Sequence, residues 1–142
     1  MGTDALNCVT CIGAVHWDSL AHAVRPISQE TSTPARILQK PGGVATNVAR
    51  ALSLLGVKVT LAGVIGDDLA GKSLTTALGQ GERKLVLAER RGFATAQYLA
   101  MHNPDGSLPA ACVDDQILST AGPDLFHPLL QRLSGTRDQP AF

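Results

Sequence analysis

Three observations predict an α/β fold. A glycine pair, Gly42–Gly43, runs straight into a helical pattern that stops at Gly56. A largely apolar run, Val57 to Ile65, follows at once and suits a strand buried on both faces of a parallel sheet. A second glycine-bracketed turn, Gly66 to Gly71, then opens another helical segment.

Taken in order, Val9 to Val15 reads as a first strand, and Asp18 falls just past its end, where open α/β sheets place ligand groups. A carboxylate there can accept two vicinal hydroxyl donors, or can cap the local backbone of a turn. Trp17 beside it can wall a pocket or pack under a loop. Leu20 to Val24 and Ala35 to Gln39 are short extended pieces around a polar loop, Pro26 to Pro34. Pro41 fixes the chain ahead of Gly42 and Gly43, which permit positive φ and let backbone N–H groups approach a ligand. Val44, Val48, Leu52 and Leu55 form a helical stripe, with Ala45, Ala49 and Ala51 as small packing residues. Asn47 lies in the first turn of this helix, and Gly56 is placed to end it.

Leu69 to Leu78 reads as a helix capped by Asp68 and ended by Gly79 and Gly81. Lys84 to Ala88 suits a short strand. Thr95 to His102 and Leu108 to Val113 flank Asn103-Pro104-Asp105-Gly106, a turn signal that predicts a hairpin. Asp124 to Leu133 reads as a last helix capped by Asp124, and Ser134 to Phe142 as a frayed tail.

The run GGVATNVA, six residues to Gly56 and nine more to Gly66, matches at every fixed position the first signature of the ribokinase/PfkB carbohydrate kinases. The chain resembles that family from about Cys8 to about Leu133, the N-terminal portion of its fold. The resemblance implies a ribokinase-like three-layer α/β/α architecture with a small β-lid, its segments near 20–39 and 94–114, closing over the substrate. It implies ATP-dependent, Mg²⁺-dependent phosphoryl transfer to a hydroxyl of a sugar or nucleoside. Asp18, Gly42, Gly43 and Asn47 match the family's substrate-binding positions. The wording PGGVATNVARALSLLG and DGSLPAACVDDQIL is most similar to the pseudouridine-kinase and sugar-kinase branches.

The family's second signature, D-T-x-G-A-G-D, supplies its catalytic base and anion hole, and this sequence has no match to it. Ser119 to Asp124 (STAGPD) is loosely similar, but Pro123 stands where an N–H is needed and the final Gly-Asp pair is missing. No catalytic base, ATP ligand or metal ligand is therefore assigned. The expectation is a substrate-binding portion that is inactive by itself, a truncated or incomplete kinase. The alternative is a non-catalytic sugar-binding module, or one that pairs with a chain carrying the missing half. A homodimer through the lid also fits the resemblance.

At 142 residues with zero net charge, the chain has no electrostatic footprint for nucleic acid or anionic membrane. No apolar run approaches the ~20 residues needed to span a bilayer. Three cysteines and no basic, apolar N-terminal leader predict reduced thiols in the cytoplasm.

Two local patterns compete with this reading. Gly66 to Ser73 (GDDLAGKS) satisfies the P-loop spacing and sits between a strand and a helix, as a P-loop does. Asp67 and Asp68 would place two carboxylates in its phosphate cradle, and the pattern leaves Gly42 to Gly56 unexplained. Cys8 and Cys11 form a C-x-x-C, but on a strand they point to opposite faces. Ordinary buried thiols are expected, with Cys112 remote in sequence. His22, His102 and His127 are scattered, and no chemistry is assigned to them.

Overall fold

The computed structural model describes residues 8–81 and 83–135, with side chains to 131. The described residues form seven strands, in two sheets, and three helices. The first sheet is parallel, in the order β1 (Cys8–Ile12), β4 (Lys58–Gly66), β5 (Lys84–Arg90). The second has the order β3 (Ala35–Gly42), β2 (His16–Ala23), β6 (Gln97–His102), β7 (Ala110–Asp114). In it β2 pairs antiparallel with β3 and parallel with β6, and β6–β7 is the expected antiparallel hairpin.

Strand β4 is the middle of the molecule and is buried from Val59 to Gly66. Its alternate residues face opposite layers, as the period of a strand requires. Val59, Leu61 and Ile65 pack with Ala45 and Ala49 of α1 (Val44–Leu54) and with Leu74 and Leu78 of α2 (Leu69–Leu78). Ala62 and Val64 pack on the other face with Ile117 of a 3₁₀ turn and with Leu125 and Leu129 of α3 (Pro123–Gly135). Helices on both faces of a parallel sheet make three layers, as the apolar run predicts.

Glycine and cap positions behave as local chemistry demands. Gly56 has φ 79° and ends α1; its N–H reaches Ser53 O (3.0 Å) while Val57 N–H reaches Leu52 O (3.1 Å), a Schellman pair. Asp68 caps α2 by accepting from Gly71 N–H at 2.8 Å.

Five expectations are corrected. Strand β1 stops at Ile12, because Gly13 to Val15 leaves the sheet and crosses over Gly63, where a Cβ would lie 2.7 Å from Val15 Cγ2. The next strand begins at His16 instead of Leu20, so Asp18 lies inside a strand. Helix α1 buries Ala45, Thr46 and Ala49, not its larger stripe: Val44, Val48 and Leu55 are exposed and only Leu52 is half-buried. Small residues let α1 lie close to the sheet, with Ala45 Cβ in contact with the Gly13 position. Asp124 does not cap α3 but pairs with Arg90, and α3 continues through Ser134 to Gly135. Of the cysteines, only Cys11 is buried; Cys8 and Cys112 are exposed, and all three are free. The rest of the expected tail, residues 136–142, lies outside the described residues.

Candidate functional site

The crossover at Gly13–Val15 carries the chain from the end of β1 into β2, and β3 returns it to the start of α1. The base of the second sheet therefore stands beside the α1 N-terminus. In the β2–β3 register His16 faces Gly42, Trp17 faces Pro41 and Asp18 faces Lys40.

The glycine pair is fitted to what lies over it. A Cβ on Gly42 would stand 2.0 Å from Asp18 Oδ1 and 2.2 Å from Oδ2, so the carboxylate rests directly on the glycine backbone. A Cβ on Gly43 would stand 2.2 Å from Ala14 O, and its φ of 96° is itself in the region that favours glycine. Gly43 is also the N-cap of α1 and offers no side-chain hydrogen bond; the first turn holds no acidic residue. The first N–H groups of a helix lack intrahelical acceptors and carry partial positive charge, so this bare end favours an electron-rich ligand atom.

Asp18 is only 9% exposed. His16 Nδ1 lies 2.9 Å from its Oδ1, within ion-pair distance, and neither atom has a hydrogen bond to any other group. Thr46 Oγ1, in the first turn of α1, is also buried without a partner. Buried polar atoms are normally satisfied, so the edge of Asp18 and His16 is where a ligand's hydroxyls would bond. The His16 ring lies 6.4 Å from that of Tyr98, which pairs with Asp18 across the β2–β6 ladder.

Asp18, Gly42 and Gly43 are thus brought together. Asn47 stands one turn further along α1, is exposed, and its Oδ1 accepts from Arg50 Nη2 at 3.4 Å; no hydrogen bond joins it to Asp18. His16 was missed by sequence reasoning. The signal that finds it is strand periodicity, since residues two apart share a face once β2 is extended back to His16. Trp17 is half-buried and packs against the core cluster of β4, α1 and α2.

The P-loop-like turn is filled by its own carboxylate. Asp68 Oδ1 accepts from Gly71 N–H and from Thr95 Oγ1 (2.5 Å), and Oδ2 accepts from Thr95 N–H (2.9 Å). Burial pushes the Asp68 carboxyl up, but the bonds from Thr95 and Gly71 outweigh it and hold its pKa below the ordinary carboxylate value. Gly66 is required because a Cβ would meet Phe93 O at 2.3 Å, and Gly71 because one would meet Gly66 O at 2.3 Å. Lys72 is exposed.

The STAGPD segment is likewise structural. Arg90 Nε and Nη2 donate to Thr120 O, and Nη1 lies 2.8 Å from Asp124 Oδ2. His22 and His102, expected to be scattered, are neighbours in the β2–β6 register and stack with centroids 5.2 Å apart.

A three-layer α/β/α unit, with a second sheet whose polar side chains cover a glycine pair at a helix start, defines the class as a ribokinase-like small-molecule kinase fold. The chain belongs to the pfkB family of carbohydrate kinases, whose pattern matches residues 7–82, more than half its length. It is 31% identical over 117 residues to a pseudouridine kinase of Escherichia coli K12, which covers 80% of this chain and 36% of that protein. It is 33% identical over 137 residues to the sugar kinase YeiI of the same organism, described as uncharacterized, covering 96% of this chain and 36% of that one. Arabidopsis thaliana ribokinase, solved with ribose and ATP, superposes with a TM-score of 0.61 at 21% identity, over 75% of this chain and 35% of that one. The chain thus spans little more than a third of the length of these two curated relatives.

Proposed function

We propose that this chain is the substrate-holding portion of an ATP-dependent kinase acting on a sugar or nucleoside, and that it is inactive alone. The observation that carries the reading is Asp18: a nearly buried carboxylate whose Oδ1 has only His16 Nδ1 beside it, at 2.9 Å, seated on Gly42 beside the bare N-terminus of α1. Asp18 accepts two substrate hydroxyls. Gly42 lets the Asp18 carboxylate sit against the backbone, Gly43 leaves the N-terminus of α1 without a side-chain cap, and Asn47 contributes an amide at the rim. The sheet β3-β2-β6-β7 acts as the lid, spanning segments near 20–39 and 94–114, and excludes water when ligand is bound. Pseudouridine or a free sugar is the substrate class supported by the relatives' names.

ATP and Mg²⁺ enter from the family, and the residues present do not fit them. The one P-loop-like turn is occupied by Asp68, and among the described residues no cluster of three His, Cys, Asp or Glu gathers to hold a cation. No step through either is assigned to these residues. Two exposed apolar features support completion by a further portion, in the same polypeptide or in a second chain. Among the described residues strand β1 has β4 as its one neighbour and exposes Val9 and Ile12, and α1 exposes Val44, Val48 and Leu55.

The test is a thermal melt with ribose, fructose, adenosine and pseudouridine, each with and without Mg-ATP. A ligand at ~100 times its Kd stabilises by about 2.7 kcal/mol. A rise with one sugar or nucleoside, lost in Asp18→Ala, supports the reading. ATP-dependent phosphorylation by the pure chain would refute the inactive-alone part; absence of any sugar or nucleoside effect on a cooperative transition would refute the substrate-holding part.

A further inference from the structure

Between α1 and α2 lies a second cleft of about 190 Å³, lined by Pro41, Thr46, Arg50, Ala77, Leu78 and Arg83. None of Asp18, Gly42, Gly43 and Asn47 lines it. Water occupies about 30 Å³ per molecule in the liquid, so the cleft has room for a tetrahedral oxyanion. Two arginines line it, in a chain whose net charge is zero. Among the described residues neither has a carboxylate at ion-pair distance. Arg50 makes one long bond, to Asn47 Oδ1 at 3.4 Å. Thr46 is 4% exposed and its Oγ1 has no partner.

We propose that this cleft binds a phosphate group, with Arg50 and Arg83 as charge partners and Thr46 Oγ1 as a hydroxyl donor. Three things point to an oxyanion over a neutral ligand. Arginine presents planar forks of N–H donors that match phosphate oxygens and has no acceptor. Like charges at one cleft, with no carboxylate at ion-pair distance among the described residues, repel one another, and an anion removes that repulsion. A buried hydroxyl with an unused proton is satisfied by accepting oxygens. The remaining described wall, Pro41, Ala77 and Leu78, is apolar and lowers the local dielectric, which strengthens each charged contact. The site stands independently of the kinase reading. It also touches the candidate sugar site at two points, through Pro41 next to Gly42 and through Arg50 on Asn47.

Calorimetric titration of the full 142-residue chain with inorganic phosphate, at constant ionic strength against chloride, tests this. Ribose 5-phosphate in a parallel arm separates a free phosphate from a phosphomonoester. Saturable binding is expected, weakened at least about tenfold in Arg83→Gln and in Thr46→Val, since each removes a charge-assisted hydrogen bond. Lys72→Gln, an exposed cation elsewhere, leaves it unchanged. Arg83→Lys, which keeps the charge and loses the fork, gives an intermediate affinity and guards against a folding defect in the glutamine variant. No saturable binding of either anion by the folded chain would overturn the proposal. So would binding that Arg83→Gln and Thr46→Val leave intact, or binding that Lys72→Gln weakens equally.

Discussion

The carboxylate of Asp18 rests on the Cα of Gly42 so closely that a methyl group between them would stand 2.0 Å from Oδ1. The two residues are 24 positions apart in sequence (42 − 18) and are joined because His16 pairs with Gly42 across the β2–β3 ladder. Glycine is needed here for space; at Gly43 it is needed for both space and backbone conformation.

Gly42→Ala should displace the Asp18 carboxylate. Forcing a methyl into a filled space costs about 1–3 kcal/mol. The variant should melt earlier than the parent and lose any sugar-induced stabilisation. Retention of both, measured by a melt with and without ligand, would show that Asp18 moves aside freely and that the contact is incidental.

Asp18→Asn keeps the shape and removes the charge. The fold should persist, with an unchanged melting temperature to within the effect of one buried polar group. Affinity for a vicinal diol should fall about 10- to 100-fold, the worth of a hydrogen bond to a charged acceptor. Equal affinities in the two proteins by calorimetry would remove Asp18 from the site.

Asp68 ties the start of α2 to Thr95 on the segment that leads into β6. Asp68→Ala should cost about 1–2 kcal/mol, the worth of a helix cap. Because the folded pKa is depressed, this contribution is fully present above the unfolded value near 4 and is lost as pH falls through the folded value. Melting temperature of the parent should therefore decline more steeply below about pH 4 than that of the alanine variant. Parallel acid profiles would contradict the assignment.

Arg90 holds α3 to β5 through Thr120 and Asp124. Arg90 is 16% exposed and Asp124 57%, so solvent screens the carboxylate end. Arg90→Ala should cost about 1–2 kcal/mol, mostly from the bonds to Thr120 O, and Asp124→Asn less than about 1 kcal/mol. Urea unfolding of the two variants gives the comparison; a larger loss in Asp124→Asn would place the energy in the ion pair instead.

Lys72→Ala should leave nucleotide affinity as it is in the parent, since the turn before it is filled by Asp68. Titration with a fluorescent ATP analogue decides it, and a large loss would return the P-loop reading.

What the sequence determined by itself is local. Helix α2 runs from Leu69 to Leu78 with Asp68 as its cap, Gly56 closes α1 with positive φ, and β4 is buried on both faces, all as the residue pattern requires. Each follows from a few neighbouring residues: a carboxylate in reach of free N–H groups, a residue without Cβ, an unbroken apolar run. The glycine-asparagine signature also carried the family. The tertiary structure decided what those pieces face. Asp18 reads as a turn residue from its neighbours and becomes a strand residue because β3 and β6 pair with β2 on both sides. The apolar stripe of α1 reads as its core face, yet Ala45 and Ala49 face the sheet, because close approach to β1 and β4 favours small side chains over large ones. Asp124 is spaced as a cap and is taken instead by Arg90, 34 residues away. Pairings at such separation depend on where the whole chain places two groups, and no local pattern of charge or hydropathy encodes that distance.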